Sequence, residues 1–207
     1  MPIQEAPLQA LNDFLPPGSF EMVKKYLREH KVHLTITRAR ISVLGDYRNA
    51  MDGKNHRITV NGNLNPYAFL ITLLHELAHL LNFMAFGNRV QPHGKEWKSC
   101  LARLLVDFNR AGIFPPDIYQ ALSQSFRDPA ASSCADDNLI RVLRNYDAAA
   151  KRSLLLEQLA NGNLFTIPGG RIFRKGERIR KRFQCVEVKT GRLYLFSPVY
   201  EVMPVVA

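Results

Sequence analysis

A long apolar run that carries two histidines and a glutamate constrains this chain more than any other stretch. Ala68 to Phe86 is apolar enough to suggest a membrane span. His75, Glu76, His79 and Asn82 interrupt it, however, and placing them in lipid is costly. The spacing therefore predicts a buried core helix. Asn65-Pro66 reads as an N-cap followed by proline at the first helical position. Leu70, Leu73, Leu74, Leu77, Leu81 and Met84 recur at helical period, and Gly87-Asn88 supplies a left-handed stop.

Inside that helix the order is His75-Glu76-Leu77-Ala78-His79. Positions four apart lie one turn apart on the same face, so two imidazoles can grip one ion from one side. Glu76 sits beside them, where a carboxylate can take a proton from a water held by the ion. Chance alone would produce about 0.01 such matches in a chain of this composition. The competing reading is a core helix with two satisfied histidines.

A catalytic zinc needs three protein ligands and one open position. His93, fourteen residues after His79, and Glu96 are both within reach of the next predicted helix. The long metzincin pattern is excluded, because it requires Gly at 82 and His at 85, where this chain has Asn82 and Ala85.

Around this centre the pattern is mixed. Leu8 to His30 has helical spacing broken by Pro16-Pro17-Gly18. Val32–Thr37, Arg40–Asp46 and His56–Asn61 alternate like strands. The turn Met51-Asp52-Gly53-Lys54 predicts a hairpin between the last two. After His93-Gly94 a helix buries Trp97, Leu101, Leu104, Leu105 and Phe108, and Gly112 with Pro115-Pro116 ends it. Asp128 to Asp137 reads as a linker, Leu139 to Leu159 as a helix, and residues from Leu164 onward as short strands. The expected division is a first domain over 1–127, a linker and helix over 128–163, and a β-rich module over 164–207.

Three cysteines without a Cys-x-x-Cys pair exclude an all-cysteine metal site and a disulfide framework. They fit a reducing, cytoplasmic setting. The first ten residues show no secretory signal. The net charge of +10 favours anionic partners. Arg171 to Arg192 carries nine cations (Arg171, Arg174, Lys175, Arg178, Arg180, Lys181, Arg182, Lys189, Arg192) against Glu177 and Glu187, most of that excess. If Glu177–Phe183 is one strand, Arg178, Arg180 and Arg182 share a face. With Phe173, Phe183, Tyr194 and Phe196 interleaved, such a surface suits phosphate contact and base stacking. The competing reading is a solvated strand face with its aromatics in a small core.

The chain resembles the SprT family of metallopeptidases, whose eukaryotic relative is Spartan. The likeness rests on Leu44-Gly45-Asp46-Tyr47-Arg48, Ile58-Thr59-Val60-Asn61 with Leu64, Leu74 to His79, and His93-Gly94-Lys95-Glu96-Trp97. It covers roughly Leu34 to Phe108. It implies an α+β, zincin-like core: a small antiparallel or mixed sheet, the histidine helix and the helix after it. It also implies one catalytic Zn2+ on His75, His79 and His93, Glu76 as general base, and substrates that are proteins bound or crosslinked to DNA. Many bacterial members carry a C-terminal zinc ribbon with two Cys-x-x-Cys pairs; here only Cys185 stands where one pair would be.

The expectation is therefore a zinc endopeptidase with protein or peptide substrate, single-stranded or junction DNA as partner, and no membrane. A DNA-binding or regulatory protein with a structural zinc is one alternative, and a peptidase indifferent to DNA is the other. Tyr47, Tyr67 and Tyr119 are equivalent candidates for stabilising an oxyanion.

Overall fold

The computed structural model describes residues 7–40, 43–50, 54–123, 125–126, 136–148 and 153–205. It is an α+β protein of two units, residues 1–147 and 148–207. Among the described residues the first begins with a 3-10 helix, Leu8–Phe14, and α1, Phe20–Glu29. Strands β1 (His33–Thr37), β2 (Gly45–Arg48) and β3 (Arg57–Asn61) follow. Among the described residues four further helices follow: α2 (Pro66–Phe86), α3 (Lys95–Arg110), α4 (Pro116–Leu122) and α5 (Asp137–Arg144).

The sheet is mixed, in the order β1-β3-β2, with β1 parallel and β2 antiparallel to β3. Ile58 and Val60 of the central strand are fully buried. The register pairs Tyr47 with Ile58 and Gly45 with Val60. Paired residues share a face in an antiparallel ladder, so Gly45 and Tyr47 belong to the buried face. That face packs on α2.

Helix α2 is long and apolar enough to cross a membrane by length and composition. Its residues from Phe69 to Ala78 are instead buried within this unit. A helix apolar on nearly every side belongs in a core, and α3 covers it with Trp97, Leu101, Leu104, Leu105 and Phe108. Both ends follow the sequence. The Asn65 side chain accepts from the Ala68 N–H at 2.9 Å, and Gly87, at φ 61°, donates its N–H to Phe83 O at 2.7 Å.

The Asn65 amide also donates to Leu143 O at 2.9 Å and to Asp147 Oδ1 at 2.8 Å, tying the end of α5 to the start of α2. Asn65→Ala removes the cap and both donors. The expected loss is about 2–3 kcal/mol, read as a lower urea midpoint for the first unit.

Several sequence expectations shift. The strand expected over Arg40–Asp46 begins at Gly45 and runs to Arg48. The reason is Asn61, whose amide donates to Arg40 O at 3.1 Å and Val43 O at 3.0 Å. Those carbonyls are held by a side chain and are not paired in the sheet. The expected hairpin partner is confirmed, although residues 51–53 of its turn, with Ile41 and Ser42, lie outside the described residues. Pro116 does not simply end α3; it starts α4 at the first helical position.

The helix expected over Leu139–Leu159 is confined to α5. Asp136 caps it by accepting from the Asn138 and Leu139 N–H groups, and Asn145 closes it. Leu154–Leu155 instead forms strand β4, followed by a 3-10 turn over Leu156–Gln158. The stretch 128–163 is thus divided between the two units, and most of the expected linker, with Cys134, lies outside the described residues.

The second unit is one antiparallel sheet in the order β4-β9-β5-β6-β7-β8. Its further strands are β5 (Leu164–Thr166), β6 (Ile172–Ile179), β7 (Arg182–Glu187), β8 (Leu193–Phe196) and β9 (Glu201–Pro204). Leu156, Phe165, Phe173, Phe183, Cys185 and Val202 form its core. Glu177–Phe183 is not one strand. Arg180, at φ 54°, turns the chain between β6 and β7, which pair Ile179 with Arg182. Arg178, Arg180 and Arg182 therefore do not line one strand face.

Candidate metal centre

Helix α2 presents His75 and His79 one turn apart, and the loop into α3 brings His93 to meet them. His93 sits in the left-handed region at φ 59°, an uncommon place for a residue with a Cβ. Gly94 N–H closes the turn on Gln91 O at 3.0 Å and then caps α3. Backbone strain of this kind persists where surrounding structure fixes it, and it clusters at functional sites.

The three rings converge through the same nitrogen. His79 Nε2 lies 3.0 Å from His93 Nε2, and His93 Nε2 lies 3.3 Å from His75 Nε2. Nitrogen ligands at 2.0–2.1 Å in tetrahedral geometry stand about 3.3 Å apart. The group can therefore hold one metal ion. Burial first, then the neighbouring histidines, drives the His75 pKa down to about 3 and that of His79 to about 4; burial also lowers that of His93. All three stay neutral, which is the form that ligates.

Trp97 forms a wall against the cluster, with its ring centroid 4.7 Å from His75, 5.2 Å from His79 and 4.6 Å from His93. Glu96, the rival third ligand, is not in this group. It pairs with Lys95 at 3.8 Å and lines a groove with Leu81 and Cys100.

Glu76 is buried beside Gly45. A Cβ at position 45 would lie 2.6 Å from Glu76 Oε1 and 2.9 Å from Thr72 Cγ2, so glycine is a steric requirement here. Burial first, then the charge of Asp46, raises the Glu76 pKa to about 8, with Arg40 opposing. Gly45→Ala is expected to push β2 off α2 and destabilise the first unit by about 1–3 kcal/mol, measured by thermal unfolding.

The three tyrosines are no longer equivalent. The Tyr47 ring lies parallel to His79, with centroids 6.4 Å apart. Tyr67 packs edge-on against Tyr146, and Tyr119 is exposed on α4. The Tyr47 hydroxyl lies 2.9 Å from His56 Nδ1, which also accepts the Ala50 N–H at 3.1 Å. That nitrogen is therefore an acceptor, and Tyr47 donates to it. Gly45, His56 and Asn61 were not read as parts of a site; only Gly45 and Asn61 fell within the residues that carry the family likeness.

These elements coincide with a family match. The SprT-like family model covers residues 8–114, from the 3-10 helix through α3. The chain belongs to the SprT-like family. Protein SprT of Cronobacter sakazakii is 30% identical over 128 residues, covering 55% of this chain and 72% of that protein. Protein SprT of Vibrio parahaemolyticus is 50% identical over 38 residues, 18% of this chain and 22% of that protein. Protein SprT of Glaesserella parasuis is 61% identical over 31 residues, 15% and 19% of the two chains. The last two matches span about a fifth of those relatives. No solved structure matches the chain.

The seven basic candidates of the second unit, beyond the matched region, separate into two groups. Arg171 is bound to Glu187 at 2.7 Å and lies over the Phe173 and Tyr194 rings. Lys175 does not face solvent. It is 4% exposed, donates to Leu159 O at 2.5 Å and sits 3.9 Å over the Phe183 ring, so it is a core residue. Arg174 is exposed, and so are Arg178, Arg180, Lys181 and Arg182 at the β6–β7 turn. Phe173 and Phe183 are buried and Tyr194 and Phe196 half-buried, so they form the small core and offer no open stacking platform. Cys185 is buried in the same core.

Proposed function

We propose that this chain is a zinc-dependent endopeptidase with a zincin-type centre, in which His75, His79 and His93 hold the ion and Glu76 is the general base. The observation that carries the reading is three imidazole nitrogens at ligand spacing, with a buried carboxyl on the same helix. Zinc bound there would supply Lewis acidity, polarising a carbonyl and acidifying a water.

The chain's own groups supply the rest. Glu76 accepts a proton and delivers it to the leaving amine, a role open to a carboxylate carried on the same helix as two of the imidazoles. Strand β2 lies at an edge of its sheet, with Gly45 against Glu76, so an extended substrate that pairs with β2 is carried past the base. Tyr47 packs beside His79 with its hydroxyl proton held by His56 Nδ1, so it shapes the site and does not donate to the oxyanion.

The substrate class is the one the family likeness implies, and the charge is in keeping with it. The exposed cations of the β6–β7 turn, in a chain of net charge +10, suit sequence-independent phosphate contact. We assign DNA-bound or DNA-crosslinked proteins in the cytoplasm as substrates. The test is cleavage of a DNA-binding protein by the zinc-loaded chain, with and without single-stranded DNA. Cleavage that DNA stimulates, less so as salt rises, is expected. Equal cleavage without DNA would leave a general peptidase, and no cleavage at all would leave a structural zinc site.

A further inference from the structure

The last strand of the second unit presents an open edge. Strand β8 ends the sheet order, with no described strand beyond it. The Glu187 N–H donates to Arg192 O at 2.9 Å, which makes that pair a hydrogen-bonded one. Bonded and non-bonded pairs alternate along an antiparallel ladder. Cys185–Tyr194 and Phe183–Phe196 are then the bonded pairs that follow. The N–H and C=O groups of Leu193 and Leu195 therefore point away from the sheet.

The same two residues show their side chains to solvent, at 60% and 54% exposed. Val186 pairs with Leu193 on that face, and Val188 and Ile172 extend the exposed aliphatic surface behind it. Edge strands are ordinarily blunted by a charge, a proline or a bulge. Leu193–Phe196 is short, at 4 residues, but carries none of these.

The charges lie at the two ends of the strand. Lys189 and Arg192 are exposed ahead of β8. Arg182, exposed on β7, stands one residue beyond the Phe183–Phe196 pair and so at the other end. The nearest acid, Glu187, is buried and hydrogen-bonded to Arg171 and Thr190. A second copy is a poor occupant. It would bring the same cation-rich stretch, Arg171 to Arg192, against this one, and like net charges repel.

We propose that β8 is a docking edge for an extended peptide of another protein, with a short aliphatic stretch flanked by acidic residues. The backbone groups of Leu193 and Leu195 add it as a further strand, their side chains meet its aliphatic residues, and the cations at each end select its acids. This site is separate from the metal centre and stands whether or not that centre is catalytic.

The test uses the full chain and a fluorescein-labelled peptide, Asp-Glu-Val-Thr-Val-Thr-Val-Glu-Asp-Glu, beside a control with every acid replaced by lysine. The acidic peptide is expected to bind, to slow hydrogen exchange at the Leu193 and Leu195 amides, and to weaken at least about tenfold in an Arg182→Glu/Arg192→Glu variant. Equal binding of the two peptides, or unchanged exchange at those amides, would overturn the proposal. So would a dimer in sedimentation that protects them without peptide, or a thymidine oligonucleotide that protects them better than the acidic peptide does.

Discussion

Replacing Glu76 with glutamine is expected to lower kcat/KM for peptide cleavage by about 10²–10⁴ while leaving one zinc bound per chain. Glutamine has nearly the same shape, so it fits the space bounded by Gly45 and Thr72. It cannot accept a proton, so the loss falls on proton transfer and not on metal binding. Parallel measurement of zinc content and turnover separates the two.

The same variant carries a stability signature with a definite sign. Folding raises the Glu76 pKa from 4.5 to about 8, because burial disfavours the carboxylate. The stability linked to its protonation is fully present below pH 4.5 and is lost as pH rises through 8. Metal-free Glu76→Gln should therefore match the wild type at about pH 4.5 and exceed it in thermal stability at pH 8. His75, His79 and His93 titrate in both proteins and drop out of the comparison.

Replacing His79 with alanine is expected to have the second largest effect. Losing an outer partner of a metal ligand already reduces affinity by about 10–100-fold, and losing a ligand itself should exceed that. Among the described residues the group able to hold the ion consists of His75, His79 and His93, so loss of His79 leaves two of its three ligands. Zinc at about 100 times its Kd stabilises the folded protein by about 2.7 kcal/mol. A chelator should therefore lower the Tm of the wild type and leave that of His79→Ala unchanged.

Much of the first unit was legible because local signals agreed. In α2 the Asn65-Pro66 start, the leucine period and the Gly87 stop all point to the same helix. The spacing of His75 and His79 on it is fixed by helical geometry. The convergence of His93 needed the loop into α3 to bring it back onto α2, which the sequence only suggested. What stayed hidden lies in contacts between distant residues. Gly45 reads as one more residue of the strand expected over Arg40–Asp46 until Glu76 is seen against it, and Asn61 as a strand residue until its amide is seen holding Arg40 and Val43.

The second unit was legible in class but not in detail, for the same reason. The Arg180-Lys181 turn contains no glycine, asparagine or proline, so alternation appeared to run through it. Lys175 looked like its basic neighbours, and only the carbonyls of Glu157 and Leu159 show that it is buried. Leu154–Leu155 continued an apolar pattern read as helix; its pairing with Glu201 and Val202, nearly fifty residues on, is non-local.

Locating zinc directly tests the shared centre. Crystals of the chain grown with zinc should give one anomalous peak at the zinc edge, about 2.0–2.1 Å from Nε2 of His75, His79 and His93, with Glu76 beyond bonding distance. A peak held by other side chains, with those three rings turned from a common point, would contradict the account.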